Sequence, residues 1–274
     1  MSAFSEQNNR MLVASAFSKQ SRLFDKLYGT NSIINYKRGR VRNHILNYLK
    51  AQGNILELNS GTGEDAIFYA KLGHRVHATD ISAGMQHALK EKIKQDNLDQ
   101  YITTELRSFT ELEKLQNNGP FDYIFSNFAG LNCTNELEKV LAAVDSLLKP
   151  MGIITLVLMP KFCLWESLLL FKGRIKIATR RWFNKNGSKA HIEGIYFTCW
   201  YYNPSFIIRN LGPAFKLLNL EGLCTIVPPS YIEGFVEKYP GLWKFLKKYE
   251  EVLKSKFPWK FIGDYYIISL QKNS

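Results

Sequence analysis

The chain has 274 residues, of which 46% are hydrophobic and 14% aromatic: enough apolar material for a real core, and too much for global disorder. Its 36 lysines and arginines against 24 acids leave a net charge of +12, which admits an anionic partner or a plain solubility bias and says nothing of fold. Cys133, Cys163, Cys199 and Cys224 form no C-x-x-C pair, so a zinc or thioredoxin-type site is not expected and free thiols in a reducing compartment are. The opening MSAFSEQNNR has no apolar stretch of the signal-peptide kind, and the longest apolar run, 153–160, is too short for a bilayer, so the expected location is cytoplasmic.

Residues 1–35 mix polar residues with Phe17, Phe24, Leu27 and Tyr28, and predict short helices or a lid-like arm. Across 36–51, Val41, Ile45, Leu46 and Leu49 recur at helical spacing, with Gly53 as the stop. A short apolar strand over 54–58 runs into a polar, Gly-rich turn at 59–63. A helix over 64–72 follows, stopped by Gly73. Residues 74–80 alternate as a strand, 81–94 read as a helix and 101–107 as a third strand. After the turn Asn118-Gly119-Pro120, a fourth strand covers 123–126. A helix over 137–148 is broken by Pro150 and Gly152 before the β-branched run 153–158. This alternation predicts a parallel sheet with helices on both faces. Right-handed crossovers then gather the carboxyl ends of the strands along one edge, where ligands bind.

Beyond Pro160 the rhythm changes. Residues 163–183 read as a greasy, basic helix, 184–187 as a turn and 195–202 as an aromatic strand. A short helix is expected over 204–212 and a strand at the end of 215–226. Pro228-Pro229 breaks the chain, helices rich in lysine and aromatics fill 231–257, and 264–271 closes as a strand. The expected organisation is an N-terminal arm (1–35), a ligand-binding core (36–160), a cap (161–213) and a C-terminal part completing the sheet (214–274).

The chemistry concentrates at Asn54-Ile-Leu-Glu57-Leu-Asn59-Ser60-Gly61-Thr-Gly63, which reads as strand, acid, Gly-rich turn and helix start. The glycines let the backbone pass close to a ligand, and the helix start offers free N–H groups. Asp80, at the end of the next strand, is placed to accept bonds from both hydroxyls of a ribose. A lone Gly-x-Gly is also what any tight strand-to-helix turn uses; the flanking strand, helix and acid separate the two readings. A phosphate loop would carry Lys and Ser or Thr after its last glycine, whereas Glu64-Asp65 stand here. Acids at Glu57, Glu64 and Asp65 suit a cationic cofactor.

These residues resemble the class I S-adenosylmethionine-dependent methyltransferases, of the bacterial small-molecule type. Residues 57–63 are similar to that superfamily's acid-x-Gly-x-Gly-x-Gly motif, and Asp80 to its ribose-binding acid. Phe121-Asp-Tyr-Ile-Phe-Ser-Asn127 is similar to the fourth-strand motif, and Leu147-Leu-Lys-Pro-Met-Gly152 to the turn before the fifth strand. The resemblance covers about residues 35–160. It implies a Rossmann-like, mostly parallel seven-stranded α/β sheet with a cap inserted after the fifth strand, and S-adenosyl-L-methionine as cofactor, released as S-adenosyl-L-homocysteine. By the same match Glu57 orients the glycine loop and the methionine ammonium, Gly61 and Gly63 line the methionine part, and Asn59 and Ser60 join them in binding the cofactor. Asp80 holds the ribose and Ile81 lies beside the adenine, with Ser108 bonding the adenine amino group and Phe109 packing on the ring. Asn127 and Phe128 face the sulfonium and the acceptor, while Tyr28 and Tyr36 close over the cofactor carboxylate or merely pack. Asn59 departs from the motif's first glycine, yet Asn is the non-glycine residue that best tolerates positive φ. Ser108-Phe109 departs from the Asp-hydrophobic pair of many members.

Such a reaction is an in-line displacement at the methyl carbon, with a general base needed only for an acceptor that must lose a proton. His191 is the candidate base, a solvated histidine being the plainer alternative; Glu166 and Glu193 come next, and Asp264 reads as structural. His44, His74, His77, His87 and His191 lack metal-ligand spacing, so no metal is expected. Trp165, Phe171, Trp182, Phe183, Tyr196, Phe197, Trp200, Tyr201, Tyr202 and Phe206 make the cap aromatic, which predicts an apolar or aromatic small-molecule acceptor, with O-methylation favoured. Lys172, Arg174, Lys176, Arg180, Arg181, Lys185 and Lys189 suggest an anionic membrane surface, an acidic carrier protein, an RNA backbone or a solvated face. A nucleic-acid methyltransferase is the alternative the charge suggests, but Ser126-Asn127-Phe128-Ala129 lacks the Pro-Pro that follows the fourth strand in base-methylating relatives. A cofactor-binding module without turnover is a further alternative.

Overall fold

The computed structural model describes residues 3–50, 52–182, 185–232 and 234–274. The predicted residues Ala51, Phe183 and Asn184 lie outside them. Two helices come first, α1 (Ala3–Gly29) and α2 (Ser32–Leu46). The alternating core follows: β1 (Asn54–Leu58), α3 (Glu64–Lys71), β2 (Arg75–Asp80), α4 (Ala83–Gln95), β3 (Ile102–Leu106), β4 (Phe121–Ser126), α5 (Leu137–Leu147) and β5 (Leu148–Leu158). The cap contains α6 (Leu164–Ser167), α7 (Ile175–Ala178), a hairpin of β6 (Ser188–Ile192) and β7 (Ile195–Cys199), and α8 (Pro204–Leu211). Then come β8 (Phe215–Leu223), α9 (Phe235–Lys238), α10 (Pro240–Leu253) and β9 (Tyr265–Lys272).

Among the described residues seven strands form one sheet in the order β3-β2-β1-β4-β5-β9-β8. β3 to β5 pair in parallel, and β9 runs antiparallel to both β5 and β8. The period of two in each strand divides the core. Leu56, Leu58, Ile124, Ile154 and Leu156 face α5 and α8, while Ile55, Tyr123, Phe125, Ile153 and Val157 face α2, α3 and α4. On α5, Leu137, Val140, Leu141, Val144 and Leu147 make one buried stripe at helical spacing. The sheet's carboxyl edge is therefore rigid and carries the loops after β1, β2 and β4.

Several expectations change. The N-terminal arm is one helix of 27 residues, not several short ones. The next helix starts four residues before Tyr36, where the Asn31 side chain caps it by accepting from the N–H groups of Ile33 and Ile34, and it ends at Leu46. The greasy basic segment is not one helix. α6, a 3-10 turn (Leu168–Lys172) and α7 are separate pieces, because Gly173 takes φ 69° and ends the turn. Nor is it a uniform basic face: Arg180 and Arg181 both pair with Glu166, and Arg181 is buried. The unforeseen strand β6 pairs with β7 through Glu193-Gly194, whose φ values of 48° and 80° are those of a two-residue hairpin turn.

Candidate functional site

The site is a cavity at the carboxyl edge of the sheet, roofed by α1. Its floor is Glu57, Asn59, Ser60 and Gly61 after β1, Asp80 and Ile81 after β2, and Asn127 and Phe128 after β4. Val13, Phe17 and Phe24 of α1 cover it, Phe109 and Met85 form its sides, and Arg38 of α2 enters from the end.

The glycine loop is held by local geometry. Gly63 precedes α3 with φ 81°, and a Cβ there would lie 2.0 Å from a Leu89 methyl, so both sterics and backbone require glycine. Asn59 takes φ 52°, as the motif's missing glycine predicts. Its carboxamide donates to the Asn127 carbonyl (2.9 Å) and accepts from Ser126 Oγ (2.5 Å), tying the β1 loop to the end of β4. Gly61 N–H donates to one Asp80 oxygen and Ser82 N–H to the other. Burial raises the Asp80 carboxyl above its usual range, opposed by those backbone bonds. Phe128 and Ala129 are both left-handed, at φ 49° and 59°, so consecutive non-glycine residues hold strained backbone beside the cavity.

The acids divide into paired and unpaired. Asp65 is bound by Arg42 (2.7 Å) and by Asn127 Nδ2 (2.8 Å). Glu64 pairs with Lys92 (2.8 Å), which also reaches Asp25 of α1 (2.6 Å). Asp25 in turn accepts from Thr62 Oγ1 (2.6 Å), so one chain of charges clamps the roof helix to the glycine loop and to α4. Glu57 differs: it is 3% exposed, and its Oε2 has no hydrogen-bond partner among the described residues. Burial first, then the neighbouring Asp65, push its carboxyl well above the usual range. Arg38 is the complement. It is buried, its Nε has no hydrogen-bond partner among the described residues, and its guanidinium lies 5.2 Å from the Phe128 ring centre and 3.9 Å from Asp65. One cavity is thus lined by a carboxylate and a guanidinium that each keep a buried atom without a hydrogen bond among the described residues, a pair of charges that suits the two ends of a zwitterion such as an amino-acid moiety.

Of the predicted residues, Glu57, Asn59, Ser60, Gly61, Asp80, Ile81, Phe109, Asn127 and Phe128 line the cavity. Gly63 shapes the loop without lining it. Ser108 is buried beside the cavity and caps the turn after β3 by accepting from Thr110 N–H, so it is not brought to the site. Tyr28 accepts from Gln20 and packs edge-on against Phe24, and Phe24 is the aromatic that faces inward. Tyr36 packs on Trp243 and accepts from Arg40, away from the cavity. His191 is exposed: hairpin register puts Ala190 and Ile192 toward α1 and turns His191, with its partner Tyr196, outward. Glu193 sits in the hairpin turn, and Glu166 and Asp264 are joined through Arg181 at 2.6 and 2.8 Å. Cys163, Glu166 and Asp264 come within metal-ligand reach of one another, but that guanidinium supplies the positive charge between the two carboxylates. None of the described cap aromatics lines the cavity. Trp200, Tyr202 and Phe206 pack into the core, Phe197 packs on α1, and Phe171 is 90% exposed.

Sequence reasoning missed Arg38, Val13, Phe17 as a roof residue, Met85 and Gly130. For Arg38 a signal existed: Lys37, Arg38, Arg40 and Arg42 crowd one helix, and the first three of them are buried.

Residues 55–152 match a family described as "Methyltransferase domain". No curated protein matches the chain in sequence. Solved structures share its architecture at low identity. A protein from Listeria monocytogenes, described as an S-adenosylmethionine dependent methyltransferase, is similar with a TM-score of 0.61 and 14% identity over 85% of this chain and 96% of its own. The cyclase SpnF is similar at 0.61 and 14% over 95% of each chain. The 1,6-didemethyltoxoflavin-N1-methyltransferase of Burkholderia thailandensis, crystallised with 1,6-didemethyltoxoflavin and S-adenosylhomocysteine, is similar at 0.58 and 12% over 100% of this chain and 92% of its own. The shared fold is the Rossmann-like methyltransferase fold.

Proposed function

We propose that the chain, whose residues 55–152 match a methyltransferase domain, binds S-adenosyl-L-methionine as a class I, Rossmann-like methyltransferase and uses it to methylate an apolar or aromatic small molecule, at oxygen by preference. One observation carries the cofactor assignment: Glu57 and Arg38, whose Oε2 and Nε make no hydrogen bond among the described residues, line one cavity. Glu57 would take the ammonium of the methionine moiety and Arg38 its carboxylate. Asp80, already fixed by Gly61 and Ser82, would take the ribose hydroxyls, with Ile81 and Phe109 beside the adenine. Bound there, the cofactor supplies an electrophilic methyl on a sulfonium.

The chain's own contribution is alignment and exclusion of water. Val13, Phe17 and Phe24 close the cavity from above, and the Asp25–Lys92–Glu64 chain fixes that roof. Phe128, held in its strained turn, forms the wall at the end of β4. Among the described lining residues there is no histidine or lysine, and Asp65 is held by Arg42 and Asn127. This favours an acceptor whose hydroxyl is acidic enough to ionise without a dedicated base, such as a phenol or enol. The apolar roof and walls support an apolar acceptor, and the Burkholderia enzyme's small-molecule ligand supports the substrate size.

Incubating the protein with methyl-labelled cofactor and a panel of phenols, enols, amines and tRNA tests this. Label in an organic-extractable product of a phenol or enol is expected. Label only in RNA overturns the acceptor class, and tight cofactor binding with no transfer to any acceptor leaves a binding module. The fold it shares with a cyclase makes that control necessary.

A further inference from the structure

We propose that α10 and the turn after it dock on an anionic lipid surface. α10 is apolar on two sides. Trp243 faces the protein, packing on Tyr36, while Leu242, Phe245, Tyr249 and Val252 stand 45–56% exposed. At 100° per residue those four fall within one narrow stripe, which therefore faces solvent along the roughly 20 Å length of the helix. Phe245 and Tyr249 touch, with ring centres 4.4 Å apart. The chain then continues through Phe257, 81% exposed.

The polar frame of this stripe is cationic. Lys244, Lys248 and Lys256 are exposed around it. The acids of α10 are neutralised: Glu250 is buried and accepts the N–H groups of Thr225, Ile226 and Val227, and Glu251 is paired with Lys254. A stripe of aromatic and aliphatic side chains bordered by lysines matches the boundary between headgroups and acyl chains of a bilayer carrying negative charge. The cap adds to it: Leu164 N–H donates to the Ile262 carbonyl, so the cap starts beside this turn, and seven residues on it projects Phe171 between Leu170 and Lys172. Charge complementarity selects the bilayer as occupant, since a second copy of this +12 chain would bring lysines against lysines. Among the described residues no helix is long and apolar enough to cross a membrane, so the contact is interfacial.

Sedimentation of the full chain with sonicated vesicles tests it, and is independent of cofactor binding or turnover. The protein should pellet with phosphatidylcholine vesicles containing about one third phosphatidylglycerol, and remain in solution with phosphatidylcholine alone or at high salt. Phe245→Ser with Tyr249→Ser, and separately Lys244→Glu with Lys248→Glu, should each reduce the bound fraction at least tenfold with the melting temperature unchanged. No pelleting with the anionic vesicles at low salt overturns the proposal. So does a stripe variant that turns a dimer into a monomer in sedimentation velocity while vesicle binding is unaltered, which would make a second copy the occupant.

Discussion

The carboxamide of Asn59 lies so close to Gly130 that a Cβ on the glycine would sit 2.3 Å from Asn59 Cγ and 2.5 Å from its Nδ2. The two positions are one device: where the glycine loop carries a side chain, the turn after β4 has none, and the side chain spans the gap to Asn127 and Ser126. Gly130→Ala should therefore push Asn59 off its bonds and weaken cofactor binding at least tenfold. Adding Asn59→Gly should restore most of it, because glycine fits both the φ of 52° and the space. Calorimetric titration of the single and double variants measures this; two losses that simply add would show the residues to be independent.

Glu57 is held for a cation at a cost to the free protein. Its carboxyl titrates above the usual range when folded, so ionisation at neutral pH favours the unfolded chain. Glu57→Gln should raise the melting temperature of the free protein and lessen its further rise on adding cofactor. Since the ionised form takes the ammonium, affinity in the wild type should increase as pH rises through the raised pKa. Below that raised pKa binding should then release a proton, seen as a dependence of the calorimetric heat on buffer ionisation enthalpy. A titration whose heat is independent of buffer would place the ammonium elsewhere.

Glu221 supplies the opposite pH dependence. His44 holds its carboxyl first, then Lys254 and Arg40, and its pKa falls to about 2. A depressed pKa stabilises the fold above the unfolded value, and that contribution is lost as pH falls from about 4.5 toward 2. Glu221→Gln should cost on the order of 3 kcal/mol near neutrality, and the gap to wild type should narrow to about half in urea melts at pH about 3. A gap that stays constant with pH would mean that packing, not charge, is what the substitution removes.

His191→Ala should leave turnover within about twofold of wild type, since the residue is on the outer face of the hairpin. Phe17→Ala, removing part of the roof, should instead speed cofactor dissociation severalfold in stopped-flow displacement. A large loss in the histidine variant would require the hairpin to turn over during the reaction.

The parts of this molecule that sequence made legible are those governed by local periodicity. The β1 loop, Asp80 and the β4 end each follow a buried strand whose pattern fixes its exit, and nine of the predicted cofactor residues share one cavity. What was illegible depends on partners far along the chain. Tyr36 looked like a lid but packs on Trp243, which only the fold of the C-terminal region brings near. Arg38, two positions on, was not singled out in the sequence and lines the cavity. The cap failed for a different reason: its leucines and phenylalanines have helical spacing but little core to bury against, so Gly173 decides the backbone. His191 was turned away from α1 by a single step of hairpin register, which depends on the left-handed pair Glu193-Gly194, and no residue of the hairpin lines the cavity.

The most direct test of the account is calorimetric titration of S-adenosyl-L-methionine and S-adenosyl-L-homocysteine into the wild type, Glu57→Gln, Arg38→Met and Asp80→Asn. The account requires micromolar binding to the wild type, with each variant weakened by roughly 1–3 kcal/mol through a lost charge-assisted bond. Binding of neither compound to the wild type, or equal binding to all four proteins, would contradict it.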